Sequence, residues 1–282
     1  MEYVKLNNGV RMPMVGFGVF EIPMEQTARC VYDALEAGYR LIDTAQAYYN
    51  EEQVGEGIQQ AMQSLAIRRE DVFITTKVWV TEFGYEKTKA SVRDSLQKLK
   101  TDYLDLVLIH QCLSDYYSAY RALEELYDEG LIRAIGISNF SAERMADIAT
   151  FNRIVPAVNQ VETHLFWQQY YLHEWMDKYN IQHEAWGPLA QHRLDEIIKH
   201  PIVSTIAKAH GKSPAQIALK QLVQRGIVVI PKSTHKERME ENLAILDFEL
   251  TVDEMTQLKE LDENRSMWAE YDDPMIVQYA MS

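Results

Sequence analysis

The chain has 282 residues, 47% of them hydrophobic, enough for a large core and, at this length, for one α/β barrel as readily as for two smaller domains. Forty-two acidic against 28 basic residues give a formal charge of −14, which repels nucleic acid and anionic membranes and makes any anionic ligand depend on a local basic pocket. Two cysteines, Cys30 and Cys112, are too few for a disulfide framework, no apolar stretch reaches the length of a membrane span, and no signal peptide is visible, so a soluble cytoplasmic protein is expected.

From the N-terminus, residues 4–12 read as a β-hairpin turning at Asn8-Gly9, expected to plug one end of a barrel. Apolar or β-branched runs then lie near 15–20, 39–45, 72–78, 103–110, 132–138, 157–161, 181–186 and 226–231. Most begin one βα unit apart, with a wider gap after the seventh. Several are continuous apolar stretches, as buried parallel strands are. Amphipathic helices are expected between them. Over 25–37, Val31, Ala34 and Leu35 form the inner stripe and Gly38 a stop, and over 85–99, Val92, Leu96 and Leu99 recur at i, i+4 and i+7. Eight alternating units predict a (β/α)8 TIM barrel, one domain over 1–282, rather than an open sheet. The segment Gly16-Phe17-Gly18-Val19-Phe20-Glu21 lacks the third glycine of an open-sheet dinucleotide fingerprint. The tail, 262–282, carries Trp268, Tyr271 and Tyr279 without helical period and is read as a packed strap or part of a pocket.

Asp43, Lys77 and His110 close the second, third and fourth runs, and Tyr48 lies five residues after Asp43. Neighbouring barrel strands bring such residues together on the C-terminal face, where barrel active sites lie. A hydride arriving at a carbonyl carbon leaves an alkoxide that needs a proton. Tyr48 is then the acid, with Lys77 expected to lower its pKa from about 10, Asp43 anchoring Lys77, and His110 orienting the carbonyl oxygen. Singly, each also has a structural reading: Asp43 as a cap, Lys77 and His110 as solvated or hydrogen-bonded strand ends, Tyr48-Tyr49 as a packed aromatic pair.

The words around these residues are longer than chance supplies. Gly38-Tyr39-Arg40-Leu41-Ile42-Asp43-Thr44-Ala45 is followed by Tyr48, Asn50-Glu51 and Val54-Gly55. Ile74–Trp79, Tyr103–His110, Ala134–Phe140, Pro156–Glu162 and Ile230–Ser233, then Arg238, Glu241 and Asn242, follow in order. Together they resemble the aldo-keto reductases, NADPH-dependent (β/α)8-barrel enzymes, over nearly the whole chain. The resemblance implies that Asp43, Tyr48, Lys77 and His110 are a catalytic tetrad reducing aldehydes and ketones, among them small carbonyls, α-dicarbonyls and keto-sugars. It also implies that Ser138, Asn139 and Gln160 bind the nicotinamide carboxamide and that Trp186 stacks beneath the ring, with Gly18, Gly187 and Leu189 beside it. Lys232, Ser233, Thr234 and Arg238 would take the adenosine 2′-phosphate, and Glu241 and Asn242 the adenine. The phosphate cluster has independent support, because a basic segment opening a helix near His235 presents N–H groups and a positive dipole end.

Phe20, Tyr49, Trp79, Gln111 and Trp268 are candidate pocket walls. Gln111-Cys112 departs from the Trp-Pro that most relatives carry, exchanging a flat apolar wall for an amide; Cys112, with no base paired to it, reads as packing. No spaced ligand set for a metal is present. The partner expected is a small carbonyl compound, with the protein a monomer or weak homodimer. Two other readings are an NADPH-binding sensor barrel with little turnover and an unrelated phosphate-binding barrel lyase or isomerase, the latter leaving the tetrad words unexplained.

Overall fold

Long apolar runs cannot remain exposed, and here each finds a parallel neighbour on both sides. The computed structural model describes residues 2–268 and 274–280, the Tyr279 side chain excepted. Two short strands, β1 (Tyr3–Lys5) and β2 (Arg11–Pro13), form the antiparallel hairpin. The sheet strands are β3 (Phe17–Gly18), β4 (Leu41–Asp43), β5 (Phe73–Val78), β6 (Leu106–Ile109), β7 (Ile135–Ser138), β8 (Val158–Glu162), β9 (Gln182–Trp186) and β10 (Val228–Val229). They pair in chain order, all in parallel. A parallel bridge between Val15 and Val229, with Gly16 N–H donating to Val229 O at 2.8 Å, joins the last strand to the segment entering the first. The result is the (β/α)8 architecture, with every expected run represented and most of them trimmed at the ends.

The hairpin sits at the N-terminal ends of the strands. Asn8 Nδ2 donates to Arg133 O and Asn7 Nδ2 to Pro156 O, both just ahead of β7 and β8. The opposite end is thereby left open for a site. The expected helices form as Met24–Ala37, burying Thr27, Cys30, Val31, Ala34 and Leu35, and Tyr85–Lys98, burying Thr88, Val92, Ser95 and Leu96. These are the i, i+3, i+4, i+7 spacings of one helix face. Gly38, at φ 114°, ends the first helix in the left-handed region that a β-carbon disfavours. The wide gap after the seventh run holds helices Leu194–Lys199, Pro201–His210 and Pro214–Gln224.

Two elements beyond the barrel bear on the site. The buried Tyr39 hydroxyl donates to Met239 O at 2.9 Å and so ties helix Lys236–Leu243 to the start of β4. The tail differs from expectation in forming a short helix, Met275–Tyr279, while Tyr271 lies outside the described residues. No helix among the described residues is long and apolar enough to cross a membrane.

Candidate active site

Parallel pairing places the ends of β4, β5 and β6 side by side, so Asp43, Lys77 and His110 meet at one end of the barrel. Lys77 is fully buried. Its Nζ donates to Asp43 Oδ1 at 2.6 Å, to Thr44 O at 2.9 Å and to Tyr48 Oη at 3.1 Å. An ammonium has three hydrogens, and these three acceptors use them all. Tyr48 Oη therefore accepts from Lys77, and the phenol's own hydrogen is left to point elsewhere.

The turn carrying Tyr48 is fixed from two sides. Asn50 Nδ2 donates to Val19 O and Asn50 Oδ1 accepts from Thr44, while Gln46 donates to Ser95 Oγ and accepts from Trp79 N–H. Phe20 and His110 flank the Tyr48 ring at centroid distances of 4.9 and 5.8 Å.

Charge at this end is set by burial. Burial pulls Lys77 down, but Asp43 and Tyr48 opposite more than offset it and hold the ammonium. Burial pushes Asp43 up against the pull of Lys77, yet its oxygens accept from Lys77 Nζ and from Gln160 Nε2, which is the environment of an ionised carboxylate. Lys77 does pull Tyr48 down, as expected from sequence, but burial outweighs it and the phenol lies above its usual value. Tyr48 thus keeps its proton at neutral pH. Burial, then Lys77, hold His110 well below the usual histidine value, so its ring is neutral. Its Nδ1 is buried without a partner among the described residues. An unpaired buried N–H is the costlier orphan, so the proton belongs on Nε2.

Asp43, Tyr48 and His110 line a cavity of about 670 Å³. Lys77 stands behind its wall. Ser138, Asn139, Gln160, Trp186, Gly187, Leu189 and Gly18 line the same cavity. Asn139 holds Trp186 in place by accepting from its Nε1 at 2.8 Å and itself donates to His110 O. Ser138 Oγ donates to Gln160 O. At Gly18 a β-carbon would stand 2.9 Å from Ile230 O, so only glycine permits the strand to lie this close.

Of the phosphate cluster, Lys232 lines the cavity and Ser233, Thr234, Arg238, Glu241 and Asn242 lie beyond its lining. Helix Lys236–Leu243 begins after the His235 cap, as expected, with Ser233 Oγ accepting from His235 N–H. Lys232 and Arg238 make no ion pair among the described residues, whereas Lys236 is paired with Glu36. Arg29, from the first helix and paired with Asp33, donates to Thr234 O at 3.2 Å, a contact that sequence spacing did not reveal.

Phe20, Trp79, Gln111 and Trp268 line the cavity, Trp268 with 58% of its surface exposed. Tyr49 does not. The turn puts it at φ 56°, and its side chain is 80% exposed, outside the pocket to which it was expected to belong. Burial pushes the Cys112 thiol up to about 11, which suits a packing residue rather than a nucleophile.

Two acidic residues were missed. Glu162 accepts from Ser266 Oγ at 2.6 Å, Met267 N–H at 2.9 Å and His164 Nε2 at 2.9 Å, so the end of β8 clasps the segment leading to Trp268. Glu184 lies inside the barrel against Gln160. Glu162 closes one of the words noted in the sequence and Glu184 lies within the run at 181–186, but a strand buried on both faces has no alternation to show which way a side chain points.

A model of the Aldo/keto reductase family matches residues 14–263. The uncharacterized oxidoreductase YtbE of Bacillus subtilis (strain 168) is 47% identical over 261 residues, covering 92% of each chain. The glyoxal reductase of the same organism is 43% identical over 265 residues, covering 93% of this chain and 94% of its own. Among solved structures, MGS-M4, an aldo-keto reductase from a Medee basin deep-sea metagenome library, matches with a TM-score of 0.92 at 42% identity, over 96% of this chain and 98% of its own. The Bombyx mori aldo-keto reductase AKR2E4, in complex with NADP, matches with a TM-score of 0.90 at 30% identity, over 98% of this chain and 96% of its own.

Proposed function

The chain belongs to the aldo/keto reductase family, and from that membership and the geometry at Tyr48 we propose that it is an NADPH-dependent reductase of small aldehydes, ketones, α-dicarbonyls or keto-sugars. The observation that carries the reading is the assignment of every Lys77 hydrogen. With Lys77 donating to Tyr48 Oη, the phenol directs its proton outward into the cavity.

The lining suits a nicotinamide dinucleotide. Trp186, held by Asn139, offers a flat face; Gly18 allows close approach; Lys232 and Arg238, which make no ion pair among the described residues, lie beside a helix N-terminus. When bound, NADPH supplies a hydride to the carbonyl carbon. The chain's own residues do the rest. His110 donates from Nε2 to the carbonyl oxygen and fixes its angle. Tyr48 passes its proton to the oxygen as negative charge grows there. The Lys77 ammonium stabilises the phenolate left behind, and Asp43 keeps Lys77 charged and in line. The name of the Bacillus subtilis glyoxal reductase supports α-dicarbonyls as the first substrates to try.

The test follows the loss of reduced-nicotinamide absorbance over a panel of aldehydes, α-dicarbonyls, keto-sugars and steroids. Turnover of at least one class with NADPH is expected; tight NADPH binding with no turnover across the panel would favour a sensor barrel. In the same assay Arg238→Met removes a charge-assisted contact to the 2′-phosphate, a loss of about 1.5–3 kcal/mol or roughly 10- to 150-fold in affinity for NADPH. NADH binding should change little. Equal losses for both cofactors would remove the phosphate assignment.

A further inference from the structure

Inside the barrel two buried carboxyl groups face a single buried ammonium. Lys77 is spent on Asp43, Thr44 and Tyr48. Glu184, on β9, is fully buried and outside the cavity lining. Its Oε2 accepts from Gln160 Nε2 at 2.9 Å, and its Oε1 is buried with no partner among the described residues. One neutral N–H donor, with the Asp43 carboxylate nearby, does not sustain a second ionised carboxylate in such a place. Burial, and then Asp43, push Glu184 up to about 8, against the pull of Gln160 and Lys77. The charged groups facing it are Asp43 on β4 and Lys77 on β5; neighbouring β8 presents the neutral Gln160, and β10 contributes Val228 and Val229.

Gln160 is the hinge of this arrangement. An amide has one donor end and one acceptor end. Nε2 donates to Asp43 Oδ2 at 2.8 Å as well as to Glu184, so the two carboxyl groups claim the donor end. The amide oxygen is left for the cavity that Gln160 lines.

We propose that Glu184 is a positioning residue: as a neutral carboxyl it accepts the second Gln160 N–H and holds the Gln160 oxygen toward the cavity as an acceptor for a carboxamide N–H. This rests on the nicotinamide reading above. An ionised Glu184 would still accept from Gln160, but beside the Asp43 carboxylate and with Oε1 lacking a donor among the described residues it would be a buried charge short of partners. Glu184 thus holds a proton that no other part of the mechanism uses.

Two measurements test it. The first is thermal denaturation of the ligand-free wild type and Glu184→Gln from about pH 5 to pH 9. Glutamine has the shape of the neutral acid and does not titrate. An acid whose folded pKa is raised binds its proton more tightly when folded, so stability falls as pH rises from the unfolded toward the folded value. The wild-type Tm should therefore fall relative to Glu184→Gln up to about pH 8 and then level. Parallel Tm curves would overturn the neutral carboxyl.

The second is binding of NADP and of adenosine 2′,5′-bisphosphate, which lacks the nicotinamide, followed by tryptophan fluorescence. Glu184→Met, close in length but with no acceptor, should weaken NADP about 3- to 10-fold, the cost of one neutral hydrogen bond. It should leave the bisphosphate unchanged, and Glu184→Gln should bind both like wild type. Unchanged NADP binding by Glu184→Met would overturn the positioning role. A wild type that binds neither compound would instead overturn the nicotinamide reading, and the inference with it. If Glu184→Met does not fold, Glu184→Asp decides: it withdraws the acceptor by one methylene and should weaken NADP but not the bisphosphate, and unchanged NADP binding would overturn the role.

Discussion

Tyr48→Phe is expected to lower kcat for carbonyl reduction by about 10²- to 10⁴-fold, the range that a positioned proton donor contributes. The phenylalanine keeps the ring and its contacts with Phe20 and His110. Only Oη is removed, and with it the acceptor for one Lys77 N–H. NADPH affinity should stay within a few-fold of wild type, because none of the residues assigned to the nicotinamide or phosphate contacts that oxygen. A variant that kept most of its turnover would place the acid elsewhere, and a loss confined to KM would make Tyr48 a binding residue. Steady-state kinetics beside a fluorescence titration of NADPH separates these outcomes.

Lys77→Met is expected to affect both activity and stability. It leaves Asp43 and Glu184 buried together with no cation. Breaking a buried ion pair from one side costs about 3–5 kcal/mol. Both acids already lie above their usual values through burial, and losing Lys77 removes the opposing pull on each. Each then holds its proton more tightly in the folded than in the unfolded chain. Stability should be greatest at acid pH, below the unfolded carboxylate range, and fall more steeply than in wild type as pH rises through neutrality. Denaturant melts at several pH values would measure this. An unchanged midpoint at neutral pH would mean that water or a neighbouring side chain replaces the ammonium. Activity should fall as well, since the phenolate formed at Tyr48 loses its stabilising charge.

How far the sequence reveals this site depends on the element that carries each residue. Asp43, Lys77 and His110 are legible because each closes an apolar run, and parallel barrel strands gather their ends at one face. Tyr48 is legible by its distance from Asp43, but its neighbour Tyr49 is not. A left-handed backbone at φ 56° turns Tyr49 outward, and no pattern in the letters announces that turn. Glu162 and Glu184 sit in strands buried on both faces, where the side-chain direction has no hydrophobic alternation to report it. Arg29 joins the phosphate cluster across 205 residues of chain, a contact only the closed barrel creates. The influence of Lys77 on Tyr48 is right in sign from chemistry alone, yet burial, which sequence does not quantify, prevails. The tail helix Met275–Tyr279 is too short for periodicity to reveal.

The most direct measurement of the central claim is isotope transfer from NADPH deuterated at the hydride-donating carbon of the nicotinamide, with an α-dicarbonyl as acceptor. Deuterium on the new carbinol carbon of the product, in proportion to the NADPH consumed, is the result expected of a reductase built around Tyr48, Lys77, Asp43 and His110. Consumption of NADPH with no label in the alcohol, or product formed without NADPH, would contradict it.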